Sequence, residues 1–293
     1  MDLRFKINQK KCKQCGSCEK ICPNRLKVSE RAFVDLNNKE CIRCYHCYAI
    51  CPEKAIGING SENGKLPKFN SMDNIEPGSL VNFLAYRRSH RRFKDKMIEA
   101  DIIKRLIHTA GFIPSGGNSH SYNFTIITDG DVRASLLSEL EKIYNLKKKI
   151  LQSSFLRKTL YFFVDSTTKA FLKDREYLKR ISDLLDQLKN GSEPIFYNAP
   201  VIIIIHSRKL IPTPKEDCVL AAYNITLMAQ TLGLGSCMVS LAQNAINSSR
   251  RCKDIINLSP EDNVNAVVVL GYPEKKFLRN IPKDPKPINW SIA

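Results

Sequence analysis

The chain has 293 residues, long enough for one sizeable core and a small satellite domain. Apolar residues make up 43% and charged residues 26%, an ordinary globular balance, and no apolar run approaches the roughly 20 residues of a membrane span. The net charge is +17, from 46 Lys+Arg against 29 Asp+Glu. That field favours acidic partners or phosphorylated ligands, although the basic residues are spread along the chain as dispersed surface lysines would be. The first thirty residues lack an apolar signal core, which predicts a cytoplasmic protein.

Eight of the eleven cysteines fall within the first 51 residues. They run Cys12-x2-Cys15-x2-Cys18-x3-Cys22-Pro23, then Cys41-x2-Cys44-x2-Cys47-x3-Cys51-Pro52. Three closely spaced thiolates can wrap three iron corners from one loop, and the fourth corner comes from the other repeat. This spacing predicts two [4Fe–4S] clusters, one on Cys12, Cys15, Cys18 and Cys51, the other on Cys41, Cys44, Cys47 and Cys22. Disulfides suit a reducing compartment poorly, and structural zinc does not call for the third and fourth Cys of each run. Gly16 is expected to let the backbone pass close to its cluster. Tyr45, His46 and Tyr48 are read as small-core filler. The segment resembles the two-cluster bacterial ferredoxins over about 50 residues but is basic, with twelve Lys+Arg against six Asp+Glu in residues 1–60. That suits a module fed by an acidic donor.

Residues 61–79 are polar and rich in turn formers and read as a linker between a domain at 1–60 and a second at 80–293. A dense cation run follows: Tyr86-Arg87-Arg88-Ser89-His90-Arg91-Arg92-Phe93. Guanidinium forks and a hydroxyl suit a phosphate. A helix is predicted over 99–110, then a small Gly-rich loop, Ile113-Pro114-Ser115-Gly116-Gly117-Asn118-Ser119-His120, and a strand over 124–128. Residues 131–190 read as mostly helical, with Leu178, Ile181, Leu184, Leu185 and Leu188 on one face. Val201–Ile205 is a β-branched buried strand, 218–232 an apolar helix stopped by Gly233, and 266–270 a further buried strand. Cys218, Cys237 and Cys252 are expected to be buried thiols. Gly233-x-Gly235 lacks the third glycine of a dinucleotide fingerprint, and Gly60-x3-Gly64-Lys65 is one residue short of a phosphate loop.

From residue 80 onward these motifs together resemble the nitroreductase family. Its chains open with Arg-Arg-Ser-x-Arg-x-Phe and continue with a Pro-Ser-x-x-Asn loop, a Gly-Leu-Gly segment after a buried helix, and a Gly-x-Pro followed by basic residues. Gly233-Leu-Gly-Ser-Cys-Met-Val-Ser240 and Gly271-Tyr-Pro273 with Arg279 and Lys283 supply the last two. The resemblance implies an α+β fold in which a ferredoxin-like domain precedes a sandwich built on a central mixed sheet. It further implies bound FMN, with Arg87, Arg88, Ser89, Arg91 and Arg279 on the phosphate. Pro114, Ser115, Gly116 and Asn118 would contact it from a partner subunit of a homodimer, and Met238, Val239 and Ser240 would line the ring. His120 stands where many relatives have Gln. The implied function is electron transfer from ferredoxin or flavodoxin, through the clusters and FMN, to a small organic acceptor such as a nitroaromatic. Alternatives are quinone or enone reduction, reductive dehalogenation, flavin fragmentation, or a non-enzymatic redox sensor. No nucleic-acid module is recognisable.

Overall fold

The structure is a computed structural model that describes residues 5–22, 28–29, 32–33, 41–58, 75–162, 169, 174–208, 210, 212–279, 281 and 286–290. Pro23, most of the expected linker and Lys283 lie outside them. The chain divides into two compact units, Met1–Glu76 with Gly117–Ser119, and Pro77–Gly116 with His120–Ala293.

In the first unit, β1 (Phe5–Ile7) pairs antiparallel with β4 (Ile56–Ile58), and β2 (Val28–Ser29) with β3 (Ala32–Phe33). Two five-residue helices, α1 (Ser17–Ile21) and α2 (His46–Ile50), pack on each other. The cysteine duplication recurs in the backbone. Gln14 and Arg43 both have φ 54°, and α1 follows Gly16 at φ 72° as α2 follows Tyr45 at φ 58°. A Cβ on Gly16 would meet nothing within 4 Å. This glycine supplies a left-handed turn, and its repeat partner Tyr45 holds the same turn at a steric cost. Tyr45 and His46 are exposed and Tyr48 half-buried, so only Tyr48 is placed to act as filler.

The second unit opens on α3 (Pro77–Tyr86). Its first three residues were expected in the linker. Proline at a helix start loses an N–H the first turn does not use, so Pro-Gly-Ser can begin a helix rather than end one. Next come α4 (Ala100–Ala110), β5 (Tyr122–Ile127), α5 (Gly130–Gln152), α6 (Ser154–Tyr161) and α7 (Arg175–Lys189). They are followed by β6 (Val201–Arg208), α8 (Pro214–Thr231), β7 (Gly235–Met238), α9 (Ser240–Asn247), α10 (Arg250–Ile255) and β8 (Asp262–Gly271). The sheet order is β5-β6-β8-β7, every neighbouring pair antiparallel. A parallel bridge between Ser89 and Ser236 extends it.

The sheet lies between two apolar layers, and β6 shows why. Successive side chains of a strand point to opposite faces. Ile202 and Ile204 enter the layer that holds Leu136, Leu140, Tyr144 and Leu185. Val201, Ile203 and Ile205 enter the other, with Leu106, Ala110, Ala222 and Ile225. An unbroken Val-Ile run is what a strand buried on both faces requires. Helix α7 buries Ile181, Leu184 and Leu185 from its expected stripe, with Leu178 and Leu188 half-buried beside them. Cys218, Cys237 and Cys252 are all buried. Among the described residues no helix is long and apolar enough to cross a membrane.

One buried polar group gives the second unit a pH dependence. His206, on β6, has Nδ1 3.4 Å from Asp262 Oδ2, long for a hydrogen bond, and Nε2 3.3 Å from Thr125 Oγ1. Burial holds its pKa below the usual histidine value, against the opposing pull of Asp262. Below the unfolded pKa of about 6.5 the unfolded chain takes up a proton that the folded chain resists, so stability falls as pH falls through that value. Urea midpoints should therefore drop between pH 7.5 and pH 5.5, and His206→Gln should flatten that decline. An equally steep decline in the variant would assign the effect to another group.

Candidate functional site

The first unit gathers its thiols into two sets. Cys12, Cys15, Cys18 and Cys51 line one cavity of about 180 Å³ together with Ile7, Lys13 and Glu53. Among the described residues no three His, Cys, Asp or Glu side chains converge as a single ion would need. A void between four thiols fits a polyatomic cluster better than zinc, whose four ligands meet about 2.3 Å from one point. In the second set Cys47 neighbours Cys22, Cys41 and Cys44. Burial, with those thiols adding to it, pushes the Cys47 thiol up to about 11. Burial raises the Cys18 pKa as well, while hydrogen bonds from Ser17 hold Cys15 below its ordinary value. A charged thiolate in such surroundings asks for a cation, which ferric and ferrous iron supply.

In the second unit the arginine run is zipped into place at both ends. The His90 N–H donates to Ser236 O (2.9 Å) in β7, and Lys94 N–H to Tyr272 O (2.8 Å) just past β8. Phe93 bridges Pro273, and Tyr86 Oη donates to Phe277 O. The sequence signals Gly-Leu-Gly and Gly-Tyr-Pro are thus the two anchors of the arginines. Gly235 is needed for close approach, since a Cβ there would stand 2.8 Å from His90 Cγ. Gly235→Ala should cost roughly 1–3 kcal/mol, read as a lower urea midpoint, as the imidazole is pushed off its seat. An unchanged midpoint would show that His90 swings clear.

Between these anchors lies a pocket of about 190 Å³ whose lining includes Arg87, Arg88, Thr226, Gln230, Ser236 and Lys276. Its charged side chains, Arg87, Arg88 and Lys276, are all cationic. Arg88 Nη1 is committed to the carbonyls of Ala85 and Arg87, but its buried Nη2 has no partner. An unpaired buried guanidinium nitrogen is costly unless an anion completes it, so these residues fit a phosphate ester. Arg91 lies outside the pocket lining. Its guanidinium sits 5.8 Å from the Tyr197 ring centroid, and a hydrogen bond with the Tyr197 hydroxyl raises its pKa. Tyr197 and Asn198 are both left-handed, at φ 59° and 53°. That turn is held by Glu193, whose carboxylate accepts the N–H groups of Ile195, Phe196 and Asn198. Arg279 is exposed.

The Gly-rich loop is fixed from α8. Gly116 N–H donates to Thr213 Oγ1 (2.9 Å) and Asp217 Oδ1 (3.3 Å), and His120 N–H to Ser115 Oγ (3.0 Å). Pro114 is exposed and Ser115 half-buried. Asn118 belongs to the first unit, where its side-chain amide donates to the carbonyls of Ile42 and Arg43, 2.9 Å each. Among the expected ring-lining residues, Met238 and Ser240 are exposed but Val239 is not. Val239 is 5% exposed, lies in the core and gives its N–H to Val267 O (2.8 Å). The pleat turns Cys237 and Val239 inward and leaves Met238 outside. Lys276 and Gln230, which line this pocket, and Tyr197, beside Arg91, carry no local signal in the sequence because each comes from a distant segment.

Comparison with known proteins adds to this geometry. Residues 4–52 match the 4Fe-4S dicluster domain. The iodotyrosine deiodinase of Thermotoga neapolitana is 23% identical over 208 residues, 71% of this chain and 91% of that protein. Human iodotyrosine deiodinase 1 is 22% identical over 212 residues, 67% of this chain and 62% of that protein. Among solved structures, an oxidised iodotyrosine deiodinase bound to FMN and 3-iodo-L-tyrosine superposes with a TM-score of 0.50 at 20% identity, covering 73% of this chain and 100% of that one. A BluB-like flavoprotein from Clostridium difficile 630 superposes with a TM-score of 0.50 at 20% identity, covering 72% and 96%. Residues 84–272 match the Nitroreductase family. With its dicluster domain, its thiol sets and its cationic pocket, the chain is an FMN-dependent oxidoreductase carrying [4Fe–4S] clusters, and it belongs to the nitroreductase family.

Proposed function

We propose that the chain takes electrons from a low-potential donor, ferredoxin or flavodoxin, and delivers them by way of two [4Fe–4S] clusters and FMN to a small organic acceptor such as a nitroaromatic. One observation carries the reading above the others: in a chain with two four-thiol sets, the Arg88 pocket has only cations among its charged lining residues and holds a buried guanidinium nitrogen without a partner. FMN, when bound, exchanges electrons singly with iron–sulfur centres and transfers hydride from N5. The protein's part is to hold and orient. Cys12, Cys15, Cys18 and Cys51 bind one cluster, and Cys22, Cys41, Cys44 and Cys47 the other. Arg87, Arg88, Ser89, Arg91 and Arg279 take the phosphate. Pro114, Ser115, Gly116 and Asn118 approach from a partner subunit, and Met238 and Ser240 face the ring. The exposed apolar residues Val219, Leu220 and Tyr223 of α8 and Val81 and Leu84 of α3 supply a surface for that second copy.

The deiodinase relatives favour a second reading for the acceptor, a halogenated ring that leaves as the dehalogenated product plus halide. Anaerobic reduction tests the donor: reduced ferredoxin should bleach the flavin, and rapid bleaching by NADH with none by ferredoxin would contradict the proposal. Product analysis separates the acceptors. With excess reduced ferredoxin as the electron source, the protein should convert a nitroaromatic to its nitroso product with two electrons and its hydroxylamine with four. Iodide release from 3-iodo-L-tyrosine, with the nitroaromatic untouched, would favour the second reading.

A further inference from the structure

The two cysteine loops are equal in spacing but unequal in surface. Five exposed lysines lie within three residues of Cys12, Cys18 or Cys51 in sequence: Lys10, Lys11, Lys13, Lys20 and Lys54, of which Lys13 lines the cavity. Glu19 and Glu53 also line the cavity, and Glu53 is paired with Lys13 at 2.7 Å, so the described lysines exceed the acids there by three. Residues 41–50 of the other loop carry a single charged side chain, Arg43, and expose instead Ile42, Tyr45 and Ile50. The thiols differ too. Cys15 is exposed, whereas the other seven of the eight are half-buried.

We infer that the cluster site at Cys12, Cys15, Cys18 and Cys51 is the port through which electrons come in, and that its lysine collar docks an acidic, low-potential one-electron carrier protein. The inference rests on the donor-fed reading above and names the face that the donor uses. An exposed Cys15 brings a docked carrier's centre near the cluster edge without opening the fold. An excess of positive charge on the residues that flank that point raises the encounter rate of an oppositely charged partner by about ten-fold to a thousand-fold. Each encounter transfers one electron: the carrier's centre is oxidised by one, the cluster is reduced by one, and no bond or proton moves. Two encounters supply one two-electron turnover. Among the described residues of the second loop, 41–50, Arg43 is the one charged side chain beside Ile42, Tyr45 and Ile50.

The test uses the full holoprotein and, as probe, a reduced acidic two-[4Fe–4S] ferredoxin, with three proteins compared: wild type, K10E/K11E and R43E. Stopped-flow mixing should show the second-order rate of cluster reduction falling about ten-fold or more in K10E/K11E, with a flatter dependence on salt, and staying within about two-fold in R43E. Titration calorimetry with the oxidised ferredoxin should show the same ranking in affinity, a readout independent of turnover. Reduction by dithionite, which needs no docking, should be equal in all three and shows that the variants are folded and loaded. A rate that falls in R43E but not in K10E/K11E, or in neither variant, would overturn the assignment of the port. A wild-type protein that dithionite reduces and ferredoxin does not would overturn the donor reading itself, and the port with it.

Discussion

Replacing Arg88 with alanine should weaken FMN binding about a hundred-fold, roughly 3 kcal/mol, as measured by equilibrium dialysis of the flavin. The magnitude follows from the site. The side chain is held by the Ala85 and Arg87 carbonyls, so its fork is oriented before the phosphate arrives, and Nη2 has no other partner to give up. Binding therefore gains a charge-assisted hydrogen bond without a matching loss. Arg88→Lys keeps the charge but not the fork and should fall between wild type and alanine. Equal affinity in all three proteins would place the phosphate elsewhere.

The second large effect concerns iron. Wild-type protein should carry about eight irons per chain, and Cys18→Ala or Cys47→Ala about four each, with FMN content unchanged. The cross-supplied ligands make a sharper test. Cys51 lines the cavity with Cys12, Cys15 and Cys18, so Cys51→Ala should abolish the same electron paramagnetic resonance signal as Cys18→Ala. Cys22→Ala should match Cys47→Ala, because Cys22 neighbours Cys47. Pairing of Cys22 with Cys18, or zinc in place of iron, would contradict the two-cluster assignment.

The parts of this protein that were legible in its sequence are those where local chemistry decides. Eight cysteines at fixed intervals leave few alternatives, and the Val-Ile runs of β6 and β8 can be buried only as strands between two layers. Where tertiary pairing decides, the sequence is silent. Gly235–Met238 has little strand propensity and becomes β7 because β8 offers it a ladder from Gly271 to Val268. The same pairing turned Val239 into core. The hydrogen bonds from Gly116 to Thr213 and Asp217 cross about a hundred residues, and no local pattern marks them. Helix α3 was hidden by turn formers that serve equally well at a helix start. The Tyr197 turn had no signature either, since its left-handed residues are tyrosine and asparagine, not glycine, and are held there by the Glu193 carboxylate.

Whether the two cofactor types are wired together can be read from one comparison. Reduced ferredoxin is mixed anaerobically with wild-type protein and with a Cys18→Ala, Cys47→Ala double variant that retains FMN. The account predicts that the flavin of the wild type is reduced and that the flavin of the double variant stays oxidised. A flavin reduced equally fast in both proteins would show that electrons reach it without the clusters.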